Sequence, residues 1–424
     1  MKNNIMEKTG KNNLLIKRRD FMKNFALAIG GANLISLING CPSERFIQES
    51  QGVGTITTSY PHSGLLGNYN LRTVFWYPKN ISQTKDKKPL VYISHGFASF
   101  PRGHIDLGKR LASEGYIVAS PSHYGDKLII AGLYNETYSG VDRFLPADYN
   151  IALQYMQDII ENVSDIPEIG NITPLEFMRY LLNGAFSGEL EEHFPEANEM
   201  IRNIIEYRLN ESDSAMKGIE KTNQDNFILK EKIDMDKITL LGHSLGGYTV
   251  LGMSGAYPYS KDKAFDFRGY QNKIKLVIPQ SPVSGIFTKA EIDNCYSPRF
   301  WMVGELDKEQ FNSVPEKLFR NGTNIPEHFL RIDNGGHDIY DNVACLYGAG
   351  ENVSQPIIDF LGENTFELFN SQTYLDDCGD YQRKQDLIYD YVKASCDIYA
   401  RGDMTGNERL HVFREGVLDL WHKE

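Results

Sequence analysis

From about residue 69 onward, short apolar strand-like runs alternate with stretches in which apolar positions recur every three or four residues. That alternation predicts strands joined by helical crossovers: an α/β architecture with a mainly parallel central sheet and helices on both faces. Residues 71–77 form the first predicted strand. The polar turn 80–88 leads into Leu90-Val91-Tyr92-Ile93, an unbroken apolar run between Pro89 and Gly96 of the kind expected for a central strand buried on both faces. Residues 105–113 read as a helix that Gly115 stops, and 116–119 as the next strand. Over 146–161, Ile151, Tyr155 and Ile159 stand at helical spacing, predicting a helix packed on the sheet. Strand-like runs return at 238–241, 276–278, 300–303 and 328–332.

Two segments break this rhythm. Residues from about 165 to 232 place Leu, Ile, Met and Phe at helical spacing among many Glu, Asn and Lys, which predicts an inserted helical segment. It is expected either to roof the site or to form a plain surface excursion. Residues 1–40 have the order of an export signal: a basic stretch, an apolar run over 25–38 too short to span a bilayer, then Gly40-Cys41. Arg18-Arg19 before Phe21 resembles a twin-arginine signal. Ile38-Asn39-Gly40-Cys41 resembles a bacterial lipoprotein box, in which Cys41 becomes the lipid-bearing first residue, although Asn39 departs from the usual residue there. The expected organisation is therefore a signal over 1–40 and a single domain over 41–424. The expected location is the bacterial cell envelope, either periplasmic or anchored in the membrane through a lipidated Cys41.

Charge adds one exclusion. The formal net charge is −12, yet residues 1–40 carry seven Lys/Arg against two Asp/Glu, a net of +5 that leaves −17 on residues 41–424. So acidic a body repels phosphate backbones, which argues against nucleic acid as a partner. Apart from Cys41, four cysteines remain, Cys295, Cys345, Cys378 and Cys396. They allow either disulfides, in three pairings, or free buried thiols. Their spacing fits no zinc site, and no metal or organic cofactor is expected.

The chemistry concentrates after the run 238–241, where Gly242-His243-Ser244-Leu245-Gly246-Gly247 precedes a helix-compatible stretch. A serine on a sharp strand-to-helix turn is forced into a strained backbone, and glycines two residues away on either side let neighbouring chain pass close by. Ser244 is thus the candidate nucleophile. A serine hydroxyl needs an imidazole to take its proton. After the last strand, Asp333-Asn334-Gly335-Gly336-His337-Asp338 offers His337 at the carboxyl end of the sheet, where such architectures collect their catalytic loops. The third member should be a carboxylate following an intervening strand, and Asp307, after 300–303, is the choice; Glu305, Asp333 and Asp338 are the alternatives. Backbone N–H groups of Leu245 and Phe97 are the expected oxyanion donors, with Phe97, Phe100 and Tyr248 as candidate walls of an apolar pocket.

Ser94-His95-Gly96-Phe97, Ser120-Pro121-Ser122-His123-Tyr124-Gly125, Arg143 through Asp148, and the Ser244 motif together resemble dienelactone-hydrolase-like serine esterases of the α/β-hydrolase superfamily. These are relatives of platelet-activating-factor acetylhydrolase and of cutinase-like enzymes, and the resemblance runs over roughly residues 55–400. It implies the α/β-hydrolase fold, Ser244 as nucleophile, His337 as base, and Phe97 and Leu245 as oxyanion donors. Two departures stand out. Dienelactone hydrolases proper use cysteine where this chain has Ser244. The acetylhydrolase branch takes its acid after the strand matching 276–278, where this chain has Gln280-Ser281-Pro282 and no carboxylate. The expected activity is hydrolysis of a small-molecule or lipid-like carboxylic ester through an acyl-enzyme. The competing readings are an amidase or peptidase with the same triad, and a catalytically silent envelope lipoprotein that only binds.

Overall fold

The computed structural model describes residues 52–64, 67–96, 99, 101–125, 202, 205–257, 265–307, 309–322, 325–341 and 381–423. Nine strands form one sheet: β1 (Val53–Gly64), β2 (Gly67–Pro78), β3 (Lys88–Ser94), β4 (Ile117–Pro121), β5 (Ile233–His243), β6 (Ile274–Gln280), β7 (Arg299–Gly304), β8 (Glu327–Ile332) and β9 (Val417–Lys423). Their order across the sheet is β1-β2-β4-β3-β5-β6-β7-β8-β9. Strands β4, β3, β5, β6, β7 and β8 run parallel, while β1–β2, β2–β4 and β8–β9 pair antiparallel. This is the α/β-hydrolase fold expected of the motifs.

Sequence dictates the interior strands simply. In β3 every residue from Pro89 to Ser94 is buried, so the unbroken apolar run does sit between two covered faces. Side chains alternate sides along a strand, and neighbouring residues accordingly fall into two separate cores. Phe75, Tyr92, Leu240 and Trp301 lie in one, and Trp76, Val91, Leu241 and Met302 in the other. The first core is closed by α2 (Tyr207–Asp225), α3 (Leu245–Leu251) and α5 (Glu309–Arg320), through residues such as Met216, Tyr248 and Phe319. The second is closed by α1 (Ile105–Ser113), α6 (Tyr381–Cys396) and α7 (Thr405–Leu410), through Leu111, Tyr391 and Leu410. A short α4 (Lys289–Asp293) starts at Thr288 with a reciprocal Thr288–Glu291 capping box.

Helix α1 has the predicted bounds. Its Gly108 lies flat on Trp76, whose ring would be 2.6 Å from a Cβ built there. Gly115, just past the C-cap at φ 94, takes the left-handed backbone that ends the helix. The outer strands β1 and β9 have no counterpart among the strands the sequence pattern predicts. β1 is rich in Thr and Ser and alternates between half-buried and exposed positions, and β9 carries Asp419, His422 and Lys423. Polar and charged residues of this kind are what a sheet edge requires, and they hide the strand signal. The predicted helix over 146–161, residues 1–51 and most of the expected insertion lie outside the described residues. Within the expected insertion the described chain holds α2 followed by a turn over 226–232, and α2 is no surface excursion: it packs on β1, β2 and β4 with a dozen buried residues.

Cys295 and Cys396 are buried free thiols, so the free-thiol reading holds for both; Cys345 and Cys378 lie outside the described residues. Burial pushes the Cys396 thiol up to about 12.

Candidate active site

Parallel strands deliver their following loops to one edge of the sheet, and the three singled-out side chains arrive there from β5, β7 and β8. Ser244 follows β5 directly and has φ 55, ψ −120, a conformation that costs a non-glycine residue about 1–3 kcal/mol. The flanking glycines make the turn possible. A Cβ on Gly242 would stand 2.1 Å from the Gly246 carbonyl oxygen, and one on Gly246 would stand 2.0 Å from that of Ser94. The elbow is tied to the end of β6: Ser244 N–H donates to Gln280 O at 2.9 Å, and Val283 N–H donates to Ser244 O at 3.1 Å. Ser244 remains half-buried within otherwise buried chain.

Asp307 and His337 meet. His337 Nδ1 lies 3.0 Å from Asp307 Oδ2 and 3.2 Å from Oδ1. The aspartate side chain is wholly buried, while the imidazole is 25% exposed. A carboxylate accepts only, so the imidazole proton facing it sits on Nδ1, and in the neutral ring Nε2 is the nitrogen that carries the lone pair. The loops that carry the two residues are laced together. Leu306 N–H donates to Gly335 O at 2.8 Å and Glu305 N–H to Ile332 O at 3.0 Å. Gly304 lies so near that a Cβ there would be 2.2 Å from Gly335 O. The rival carboxylate Glu305 is otherwise engaged, accepting the Asn334 N–H at 2.9 Å. At the end of β6, where the acetylhydrolase branch would put its acid, Gln280 and Ser281 are buried and bring no charge.

His243, the residue between Gly242 and Ser244 in the motif, has a task of its own. Its Nε2 lies 2.8 Å from the His337 carbonyl oxygen, which only accepts, so Nε2 carries the proton. The two rings are 4.8 Å apart. Burial, followed by the neighbouring His337 and His104, pushes His243 well below the usual histidine range, and it stays neutral. Since His243 precedes Ser244 in the chain, this contact binds the elbow to the loop that bears the imidazole.

The loop after β3 approaches from the other side, and a Cβ on Gly96 would lie 3.5 Å from Ser244 Cβ. Phe97 and Phe100 lie outside the described residues. Leu245, the other expected oxyanion donor, opens α3 immediately after Ser244. Tyr248 is fully buried and stacks on Phe287 at 5.1 Å, which makes it core rather than pocket wall. Beneath the loop, His95 Nδ1 donates to Gly96 O at 2.8 Å and His95 Nε2 accepts from the His123 N–H at 3.2 Å. Arg208 of α2 donates to the carbonyls of both His95 (2.7 Å) and Gly96 (2.9 Å). Glu211, one turn along, accepts from Tyr69 Oη at 2.6 Å and from Gly125 N–H at 2.7 Å, and faces His123 Nδ1 at 3.3 Å. Among the described residues no group of three His, Cys, Asp or Glu side chains is placed to hold a metal ion.

Sheet order, elbow and strand-end carboxylate–imidazole pair together define an α/β-hydrolase. Within that class, residues 63–143 match the family described as platelet-activating factor acetylhydrolase, isoform II. Platelet-activating factor acetylhydrolase of Bos taurus is 32% identical over 181 residues, and that of Canis lupus familiaris 27% identical over 169. Each alignment covers 40% of this chain and 32% of the relative, so the chain spans about a third of the length of the curated relatives it matches.

Proposed function

We propose that the chain is a serine hydrolase of carboxylic esters acting through an acyl-enzyme. The observation that carries this reading is the buried Asp307 carboxylate at 3.0 Å from His337 Nδ1, at the same sheet edge as the strained Ser244 turn. In the proposed cycle His337 Nε2 takes the Ser244 hydroxyl proton as Oγ bonds to the ester carbonyl carbon. The carbonyl oxygen becomes an oxyanion held by the N–H groups of Leu245 and Phe97. Its collapse breaks the ester C–O bond, and the imidazolium returns its proton to the departing alcohol. Water, deprotonated by the same imidazole, then releases the acid. Asp307 keeps the ring in the Nδ1–H tautomer and stabilises the imidazolium.

The relatives are named as acetylhydrolases of platelet-activating factor, so short-acyl, lipid-like esters are the substrate class proposed first. The test compares p-nitrophenyl esters of increasing acyl length on the wild type and Ser244→Ala, with a fluorophosphonate probe as a second readout. The substitution is expected to remove activity by ~10³-fold or more and to abolish labelling. Equal rates in the two proteins would refute the proposal. For location, the proposal is export to a bacterial envelope with anchoring through Cys41, supported by the order of residues over 1–41. Labelled fatty acid should enter the wild type and not Cys41→Ala, and incorporation into both would refute the anchor.

A further inference from the structure

A second hydroxyl, imidazole and carboxylate stand in line, and the proposed cycle does not use them. Ser94, the last residue of β3, places Oγ 2.8 Å from His123 Nε2, and His123 Nδ1 lies 3.3 Å from Glu211 Oε2. All three residues are buried, Ser94 completely, so this serine meets no substrate. The direction of each bond follows from the carboxylate. Glu211 accepts from Tyr69 Oη and Gly125 N–H at Oε1 and from His123 at Oε2, so the His123 proton sits on Nδ1. Burial, followed by the Arg208 charge and the His95 ring, pushes His123 well below the usual histidine range, and the ring stays neutral. Nε2 therefore carries the lone pair, and the Ser94 hydroxyl donates to it.

Ser94 stands in register with Gly242 of β5, two residues before the candidate nucleophile. A Cβ on Gly246 would lie 2.0 Å from Ser94 O and 2.8 Å from His95 O, so this backbone is the wall on which the turn 242–246 is seated. Toward β6 the turn is hydrogen-bonded to Gln280 and Val283, and toward the loop after β8 it is tied by His243. Toward β3 the wall itself is held from behind, through a side-chain path that crosses the end of β4 and finishes on α2. A buried polar network whose members are bonded to one another is rigid. We propose that Ser94, His123 and Glu211 are positioning residues for Ser244, fixing the backbone against which the nucleophile turn rests. This rests on the proposed esterase function. It makes the aim of the Ser244 hydroxyl depend on where Ser94 stands, and small errors of aim at a reacting atom are expensive in rate.

The experiment measures p-nitrophenyl ester hydrolysis and the rate of fluorophosphonate labelling for the wild type, Ser94→Ala, Ser94→Cys, Glu211→Gln and the double variant Ser94→Ala/Glu211→Gln. Circular dichroism and thermal midpoint are recorded on each protein. Ser94→Ala is expected to lower kcat and the labelling rate together by about 10- to 100-fold, with KM within about threefold of wild type. A thiol is a weaker donor of similar size, so Ser94→Cys should recover part of the loss. Glu211→Gln keeps the shape and inverts the bonds. Tyr69 and Gly125 claim the amide oxygen, the NH2 group faces His123 Nδ1, the ring proton moves to Nε2, and Ser94 can no longer donate there. Imidazole 15N spectra should therefore show His123 protonated on Nδ1 in the wild type and on Nε2 in Glu211→Gln. Because both substitutions act through one bond, the double variant should lose no more than the worse single variant. Wild-type kcat in folded Ser94→Ala would overturn the positioning role. So would losses that multiply in the double variant, a wild-type His123 protonated on Nε2, or failure of both single variants, Ser94→Ala and Glu211→Gln, to fold. A wild type that neither hydrolyses the ester nor takes the fluorophosphonate would overturn the esterase reading instead.

Discussion

His243 Nε2 donates to the carbonyl oxygen of His337 at 2.8 Å, so the residue before the candidate nucleophile holds the backbone of the imidazole that would serve it. Two loops that leave different strands are thereby kept in register by one neutral, buried ring. His243→Phe retains the ring's bulk and removes the bond. Misplacement of a catalytic group by about 1 Å costs on the order of 10²-fold, so kcat is expected to fall 10- to 100-fold while KM changes little. Unchanged kcat in the folded variant would show that the His337 loop needs no such tie.

Asp307 and Glu305 are two residues apart but hold different partners, the His337 ring and the Asn334 N–H. Asp307→Asn should lower kcat by about 10⁴, because the amide favours the wrong imidazole tautomer. Glu305→Gln keeps an acceptor for the Asn334 N–H and should leave kcat within about threefold of wild type. Kinetics of the two variants side by side decide the assignment, and the reverse ranking would transfer the role to Glu305.

Gly246→Ala is expected to be severe. The new methyl carbon would sit 2.0 Å from the Ser94 carbonyl oxygen and 2.6 Å from its carbon, and backbone cannot swing aside as a side chain can. Overpacking a rigid site costs about 1–3 kcal/mol or more, and here the displaced element is the loop beside Ser244. A urea titration should show a lowered midpoint together with lost activity. A variant as stable and as active as wild type would contradict the packing.

Stability should decline in mild acid. Burial lowers His328 to about 3 and His422 to about 4, and it drives His123 and His243 well below the ordinary range. In the unfolded chain such rings titrate near pH 6.5. Below that value the unfolded chain binds protons that the folded chain refuses, so unfolding becomes easier as pH falls. The contribution is fully present above about pH 6.5 and drains away toward pH 4, by about 1.4 kcal/mol per pH unit for each ring that remains neutral. Thermal midpoints recorded from pH 7.5 to 5 should hold level and then drop. A level profile throughout would show that these rings are not protected from protonation.

The interior of the fold was legible because its strands are dominated by short apolar runs: 90–93, 238–241, 276–278, 300–303 and 328–332 all fall inside observed strands. The elbow was legible because few backbones demand glycine at two fixed offsets from a serine. Asp307 and His337 followed from chain order, and their contact is present. Other features carried no local signal. β1 and β9 look like polar surface because edge strands are half solvated. Arg208 and Glu211 sit in a helix whose composition is that of an exposed one, and nothing within the helix says that this face lies against carbonyls more than a hundred residues earlier in the chain.

That last feature bears on any effort to pare the protein down. In sequence, residues 165–232 resemble an accessory segment inserted into a compact hydrolase. A deletion extending through α2 would strip away Leu209, Met216 and Ile219 from one core, unseat Tyr69 on β2, and release the loops after β3 and β4 at once. Minimal versions of this chain should therefore keep the 207–225 helix as part of the scaffold, together with the C-terminal strand β9 that pairs with β8.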